Sequence, residues 1–128
     1  TIFNFVAVYN DFEAKFAEFL DKCEDVDRFA ALADKFSIDY LSSRGAIRLY
    51  YPDFIAVQKV GKEEVFWIIE TKGREYEDTD RKDQAMQRWC KDVSKQTGKN
   101  WKYLKVFQKD FRDSAKSLSE LIERLGID

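Results

Sequence analysis

Apolar positions change their spacing several times along the chain, and each change predicts a new element. Phe16, Ala17 and Leu20 recur at helical intervals with Glu13 on the same stripe, and Asn10 or Asp11 stands where an N-cap belongs. A first helix is predicted there. Val26, Phe29 and Leu32 continue at intervals of three, which predicts a second, short helix, and Gly45 then marks a turn between two strand candidates. The segments 50–57 and 66–72 are rich in aromatic and β-branched residues and read as strands, with Gly61-Lys62 between them as a tight turn. Farther on, Ala85, Met86, Trp89 and Val93 form one stripe of a helix from about Asp80 to Gln96, closed by Gly98. Trp101, Tyr103, Leu104 and Val106 make another strand, and Leu118, Leu121, Ile122 and Leu125 a last helix ending at Gly126. The order reads αβββαβα, and residues 1–9 read either as an edge strand or as a connection from a preceding domain.

The Gly61-Lys62 turn fixes a register. Val60 then faces Glu63, and counting outward sets Val57 against Phe66, Ile55 against Ile68, and Asp53 against Glu70. Apolar residues fall on both faces of this ribbon, Ile55 with Ile68 on one and Phe54 with Ile69 on the other, as in a central pair of strands covered by helices on both sides. Lys72, two residues after Glu70, projects to the same side as it does. Two carboxylates about 5 Å apart at Cβ repel one another, and folding tolerates them only with a cation, a shared proton or the lysine as compensation. A hard divalent ion fits this donor set, because magnesium binds through one or two carboxylates and keeps several waters. An ordinary exposed Glu70–Lys72 ion pair is the structural alternative, and it leaves Asp53 unexplained.

Composition narrows the chemistry. At 128 residues, 45% hydrophobic and 16% aromatic, the chain can bury a full core as one domain, 1–128, with no linker or low-complexity tract dividing it. It begins at Thr1 and its only methionine is Met86, which suits a C-terminal piece of a longer polypeptide. With no histidine, a His-based general base, a Ser-His-Asp triad and His-ligated zinc are excluded. There is no Gly-rich phosphate loop, so nucleotide hydrolysis has to reside elsewhere. Cys23 and Cys90 lack metal-ligand spacing and read as free thiols, and no apolar run approaches the roughly 20 residues that span a bilayer. A cytoplasmic protein without a membrane role is expected.

Pro52-Asp53 followed by Glu70-Thr71-Lys72 resembles the PD-(D/E)xK nuclease motif. With its surroundings, Arg48-Leu-Tyr-Tyr-Pro-Asp-Phe-Ile-Ala-Val57, Trp67-Ile-Ile-Glu-Thr-Lys-Gly-Arg-Glu75, and Asp80-Arg-Lys-Asp-Gln-Ala85 with Trp89-Cys90, the chain is similar to the C-terminal endonuclease domain of type III restriction enzymes and of related helicase-fused nucleases. The similarity covers roughly residues 10 to 107. It implies an α/β, restriction-endonuclease-like fold with a central mixed sheet of about four strands flanked by helices. It also implies Mg2+-dependent hydrolysis of DNA phosphodiesters, with Mn2+ as a substitute. In that reading Asp53, Glu70 and the backbone carbonyl of Thr71 hold the metal, and Lys72 orients or deprotonates the attacking water. The implied partners are double-stranded DNA, a helicase/ATPase region of the same polypeptide and a methyltransferase-specificity subunit.

Further residues are weighed against bland explanations. Glu13 points to the core side of its helix and is either a catalytic acid or the third position of a capping box with Asn10. Lys82, in a first helical turn where the dipole opposes a cation, and Arg74, in the loop before it, are candidate DNA-phosphate contacts, or else solvated surface cations. Trp89 and Trp101 are better read as core than as base-stacking platforms. A net charge of −2 argues against a strong autonomous nucleic-acid binder, although Lys91, Lys95, Lys99, Lys102 and Lys105 make the later part basic. Beside the endonuclease stands the alternative of a non-catalytic nuclease-fold module that docks DNA or a partner. A Holliday-junction or repair nuclease shares the chemistry but not the flanking motifs.

Overall fold

The computed structural model describes residues 10–33, 35–73, 79–111 and 114–126. Residues 1–9, the expected edge strand or connection, lie outside them. Helix α1 (Asp11–Lys22) is followed by five strands, β1 (Val26–Ala31), β2 (Ile38–Leu41), β3 (Ile47–Tyr50), β4 (Phe54–Val60) and β5 (Glu63–Lys72). Helix α2 (Thr79–Thr97), strand β6 (Asn100–Phe107), a 3-10 turn (Gln108–Asp110) and helix α3 (Leu118–Leu125) complete the chain. A four-stranded mixed sheet in the order β1-β4-β5-β6 forms the centre, and β2 and β3 make a separate two-stranded hairpin. This is the helix-flanked mixed sheet expected from the sequence.

The order differs from αβββαβα, because five strands precede α2: the segment 50–57 is not one strand, Tyr50 ending β3 and β4 beginning at Phe54, and one expected helix is a strand. The segment from Val26 is a strand paired antiparallel with β4, not a short helix. A bulge between Val26 and Arg28 inserts one residue into β1, so the inward-facing Val26 and Phe29 stand three apart, both buried. That interval imitates a helical repeat, whereas an unbroken strand would show two or four.

The β4–β5 hairpin matches its expected register pair for pair, with Val60 opposite Glu63, Val57 opposite Phe66 and Ile55 opposite Ile68. Gly61, at φ +64°, supplies the left-handed first turn position. Strand β6 then returns parallel to β5 across α2, which sets Ile68 beside Tyr103 and Glu70 beside Lys105. Alternation of side chains divides the core in two. On one face Phe54, Trp67, Ile69 and Leu104 pack against Phe16 and Leu20 of α1 and Leu118 and Leu121 of α3. On the other, Ile68 packs with Met86 and Cys90 of α2 and with Ile38 and Tyr50 of the β2–β3 hairpin. Each fully buried large side chain contributes about 1.5–3 kcal/mol, so the hairpin and α2 are held on by the same cluster that backs the sheet's catalytic-looking end.

Local polar groups fix the helix ends. Asn10 and Glu13 form a complete capping box, the Asn10 side chain accepting from the Glu13 N–H at 2.7 Å and Glu13 accepting from the Asn10 N–H at 3.1 Å. Asp25 caps α3 from outside its own segment, accepting from the N–H groups of Leu118 (2.8 Å) and Ser119 (3.0 Å). Gln58 ties this cap to the sheet by donating to Asp25 and accepting from the Trp67 indole N–H at 2.8 Å. Trp89 is partly covered by Phe36 and Trp101, with centroids 5.1 and 5.6 Å away, so it packs as expected. Both cysteines are buried free thiols. No helix among the described residues is long and apolar enough to cross a membrane.

Candidate active site

Where β4 begins and β5 ends, the sheet gathers its charged groups. Pro52 is fully buried, and Asp53 follows it one residue before β4, its N–H donating to the Ile69 carbonyl at 3.0 Å and its carbonyl accepting from Leu32 N–H at 2.9 Å. The Asp53 backbone is thereby locked between β1 and β5. Its Oδ2 accepts from Thr71 twice, from the backbone N–H at 2.8 Å and from the hydroxyl at 2.9 Å. The Glu13 carboxyl hydrogen-bonds to the same Asp53 carboxylate. Glu13 thus forms the capping box and also lies against the Asp53 carboxylate.

Burial shifts the carboxyls of this cluster toward their neutral forms. Burial pushes up the pKa of Glu13, reinforced by the Asp53 charge, and burial likewise raises that of Asp53 although Thr71 and Lys72 oppose it. Glu70 is 6% exposed. Burial, with the Asp53 charge adding to it, lifts Glu70 to about 7 despite the Tyr50 hydroxyl and the Lys72 and Lys82 charges. The two acids are thus electrostatic neighbours, as the register requires.

Lys72 lies 4.0 Å from Glu70 Oε2, with its side chain only 13% exposed. Lys82, in the first turn of α2, is half-buried, and its ammonium sits 4.8 Å from the centre of the Tyr50 ring. Burial and the Lys72 charge lower its pKa while Glu70 raises it, which places Lys82 among the site's own groups. Arg74 falls outside the described residues.

The sequence reading missed a set of residues behind Glu70. Tyr50 hydrogen-bonds to Glu70. Its hydroxyl lies 3.3 Å from that of Tyr103, and Tyr103 donates to Asp83 at 2.9 Å. Asp83 also accepts from Lys105 at 2.6 Å, and Lys105 is the parallel-strand neighbour of Glu70. Both tyrosines have pKa values pushed far up by burial, so they remain neutral donors. Tyrosines in apolar strands read as core, and only the parallel return of β6 aligns their hydroxyls. The one available signal was Asp83, an acid directly after a lysine in a first helical turn.

The donor set can be tested against a metal. All its members are hard oxygens, namely Asp53, Glu70 and backbone carbonyls, with no thiol or imidazole nearby. Among the described residues no group of three or more His, Cys, Asp or Glu side chains is placed to hold an ion alone. A cation here would be held by two carboxylates and completed by carbonyl, water and phosphate, the coordination that magnesium accepts. Burial, the largest cause of the raised carboxyl pKa values, is what a bound cation would offset.

Comparison with known families matches residues 1–109 to an endonuclease domain. The chain belongs to that family. The match spans most of the 128 residues and includes Asp53, Glu70, Lys72 and Lys82. No curated protein and no solved structure matches the chain. The endonuclease domain thus has a restriction-endonuclease-like fold, and Asp53, Glu70, Lys72 and Lys82 gather at the sheet end where β4 begins and β5 ends.

Proposed function

We propose that this endonuclease domain is a magnesium-dependent endodeoxyribonuclease of the type III restriction class, acting through Asp53, Glu70 and Lys72. The observation that carries the proposal is a buried Glu70 and a partly buried Asp53 that act on one another electrostatically and both have raised pKa values, with Lys72 4.0 Å from Glu70. A purely structural site gains nothing from such a cluster. Asp53, Glu70 and the Thr71 carbonyl would hold Mg2+, which when bound supplies Lewis-acid polarisation of the scissile phosphate and a more acidic water.

The chain's own residues do the rest. Thr71 holds the Asp53 carboxylate in one orientation through two hydrogen bonds, and Tyr50 holds that of Glu70. Lys72, nearly enclosed, offers an ammonium to the attacking water or to the charge that builds on the phosphate oxygens. Lys82 supplies a second positive charge on the α2 side. Double-stranded DNA is the substrate. A helicase/ATPase region and a methyltransferase-specificity subunit supply translocation and sequence reading, which fits a domain with net charge −2.

Cleavage of supercoiled plasmid by the domain, with Mg2+ or Mn2+, tests this reading. Asp53→Asn and Lys72→Ala are expected to abolish cutting, and Lys72→Ala to retain Mn2+ binding by calorimetry. Cleavage that survives in Lys72→Ala, or that proceeds fully in chelator, would refute the assignment.

A further inference from the structure

We propose that Asp83 is a positioning residue that reserves Glu70 for a divalent cation, by taking for itself the donors that β6 sets beside that carboxylate. This rests on the metal reading above, and it assigns a role to a residue outside the motif.

Parallel pairing of β5 with β6 sets Ile68 beside Tyr103 and Glu70 beside Lys105. Side chains two apart on a strand share a face, so Tyr103 and Lys105 rise on the same side of the sheet as Glu70, the side where Ile68 and Tyr103 pack against α2. Glu70 thus has an ammonium for a neighbour. Opposite charges side by side on adjacent strands attract, and Glu70 already has Lys72 at 4.0 Å. A second lysine fixed on Glu70 would compete with any cation that the carboxylate is to hold.

Asp83 reaches from α2 to both donors of β6. It accepts from the Tyr103 hydroxyl through Oδ1 at 2.9 Å and from the Lys105 ammonium through Oδ2 at 2.6 Å. The Lys105 charge is balanced there. With side chains 13% exposed for Lys105 and 23% for Asp83, solvent screens this short charge-assisted bond only weakly. A partly buried ion pair adds little stability over a well-packed apolar pair, so fastening α2 to β6 does not by itself call for one at this position.

The protons of the tyrosines point the same way. An ionised carboxylate only accepts and a neutral phenol has one proton, so Tyr103 gives its proton to Asp83 and turns a lone pair toward Tyr50. The two hydroxyl oxygens are 3.3 Å apart, beyond the usual O–H···O range of about 2.5–3.0 Å, so Tyr103 competes weakly for the Tyr50 proton. That proton is left for Glu70. Asp83 therefore keeps a neutral hydroxyl on Glu70 from this side and holds the fixed positive charge to itself.

Mn2+ binding to the whole 128-residue chain, read by water-proton relaxation without DNA, tests the proposal together with urea denaturation in chelator. Asp83→Asn is expected to weaken Mn2+ binding roughly tenfold, because Lys105 then turns to Glu70. Adding Lys105→Met to that variant is expected to recover most of the loss, and the same substitution in the wild-type chain to raise affinity by less. In chelator, the stability effects of Glu70→Gln and Lys105→Met are expected to couple more strongly in the Asp83→Asn chain than in the wild type. Equal effects of Lys105→Met in both chains would overturn the proposal, since each charge would then act on the ion through space alone. Coupling that Asp83→Asn leaves unchanged would do the same. If Asp83→Asn alone does not fold, Lys105→Met is compared with Asp83→Asn plus Lys105→Met, and a loss of roughly tenfold between those two, with no ammonium to release, would also overturn it. A wild-type chain that binds no Mn2+ refutes the metal reading, whereas Mn2+ binding that Asp83→Asn leaves undiminished refutes the role of Asp83 alone.

Discussion

Replacing Glu70 by glutamine isolates the electrostatic cost of the acidic cluster. In the metal-free chain the Glu70 carboxyl titrates at about 7 against an ordinary 4.5, so the folded state holds a proton that the unfolded state releases across that interval. The sign follows from linkage. Stability contributed by the protonated Glu70 is complete below about pH 4.5 and is lost as pH rises through about 7. An interval of this width, at about 1.4 kcal/mol per pH unit, corresponds to roughly 3 kcal/mol. The group is buried and little screened, so the whole of that figure is expected to register. Urea denaturation in chelator between pH 4.5 and 8 is expected to show wild-type stability falling by about 3 kcal/mol more than that of Glu70→Gln. Contributions from Asp53 and Glu13 have the same sign, and because Asp53 is coupled to Glu70 the difference curve reports Glu70 together with its interaction with Asp53. Ten millimolar Mg2+ is expected to flatten the wild-type curve and leave the variant almost unmoved. Parallel pH curves for the two chains would refute the reasoning, since Glu70 would then be solvated or already neutralised.

Two further substitutions separate the site from its scaffold. Tyr50→Phe removes the hydroxyl that steadies Glu70 and is expected to weaken Mn2+ binding roughly 10- to 100-fold while the far-ultraviolet circular dichroism stays unchanged; undiminished affinity by calorimetry would leave the Tyr50 bond without a role. Leu121→Ala, in the core facing α1 and far from Lys72, is expected to cost about 2–5 kcal/mol in urea and to leave metal affinity intact.

Much of this arrangement was legible before any coordinates. A single Gly-Lys turn sets the β4–β5 register residue by residue, because a period of two leaves no freedom once one pair is fixed, and the observed pairing runs from Val60–Glu63 to Phe54–Ile69, one step short of Asp53 and Glu70. The capping box at Asn10 and Glu13 was equally readable, but its second use was not. A spacing of three says that Glu13 can reach Asn10, and nothing in it says that the same carboxyl meets Asp53, 40 residues away. Strand β1 was misread because a bulge is a local backbone event with no residue signature, and it shifted the apolar spacing from two to three. Tyr50, Tyr103 and Asp83 escaped notice for a different reason. Their hydroxyls and carboxylate converge through a parallel crossover whose stagger is set by how α2 packs, and that depends on the whole of the second core.

That crossover has a bearing on the order in which the candidate site is assembled. Asp53, Glu70 and Lys72 come from a tight hairpin, so their backbone scaffold is available as soon as residue 72 has been made. The brace behind Glu70 is supplied by Tyr103, Asp83 and Lys105, which arrive only after α2 has folded and β6 has paired with β5. Parallel pairing across a long connection is slow relative to hairpin closure. A nascent chain therefore carries the motif through some thirty further residues of synthesis before the Tyr103, Asp83 and Lys105 hydrogen bonds behind Tyr50 can form.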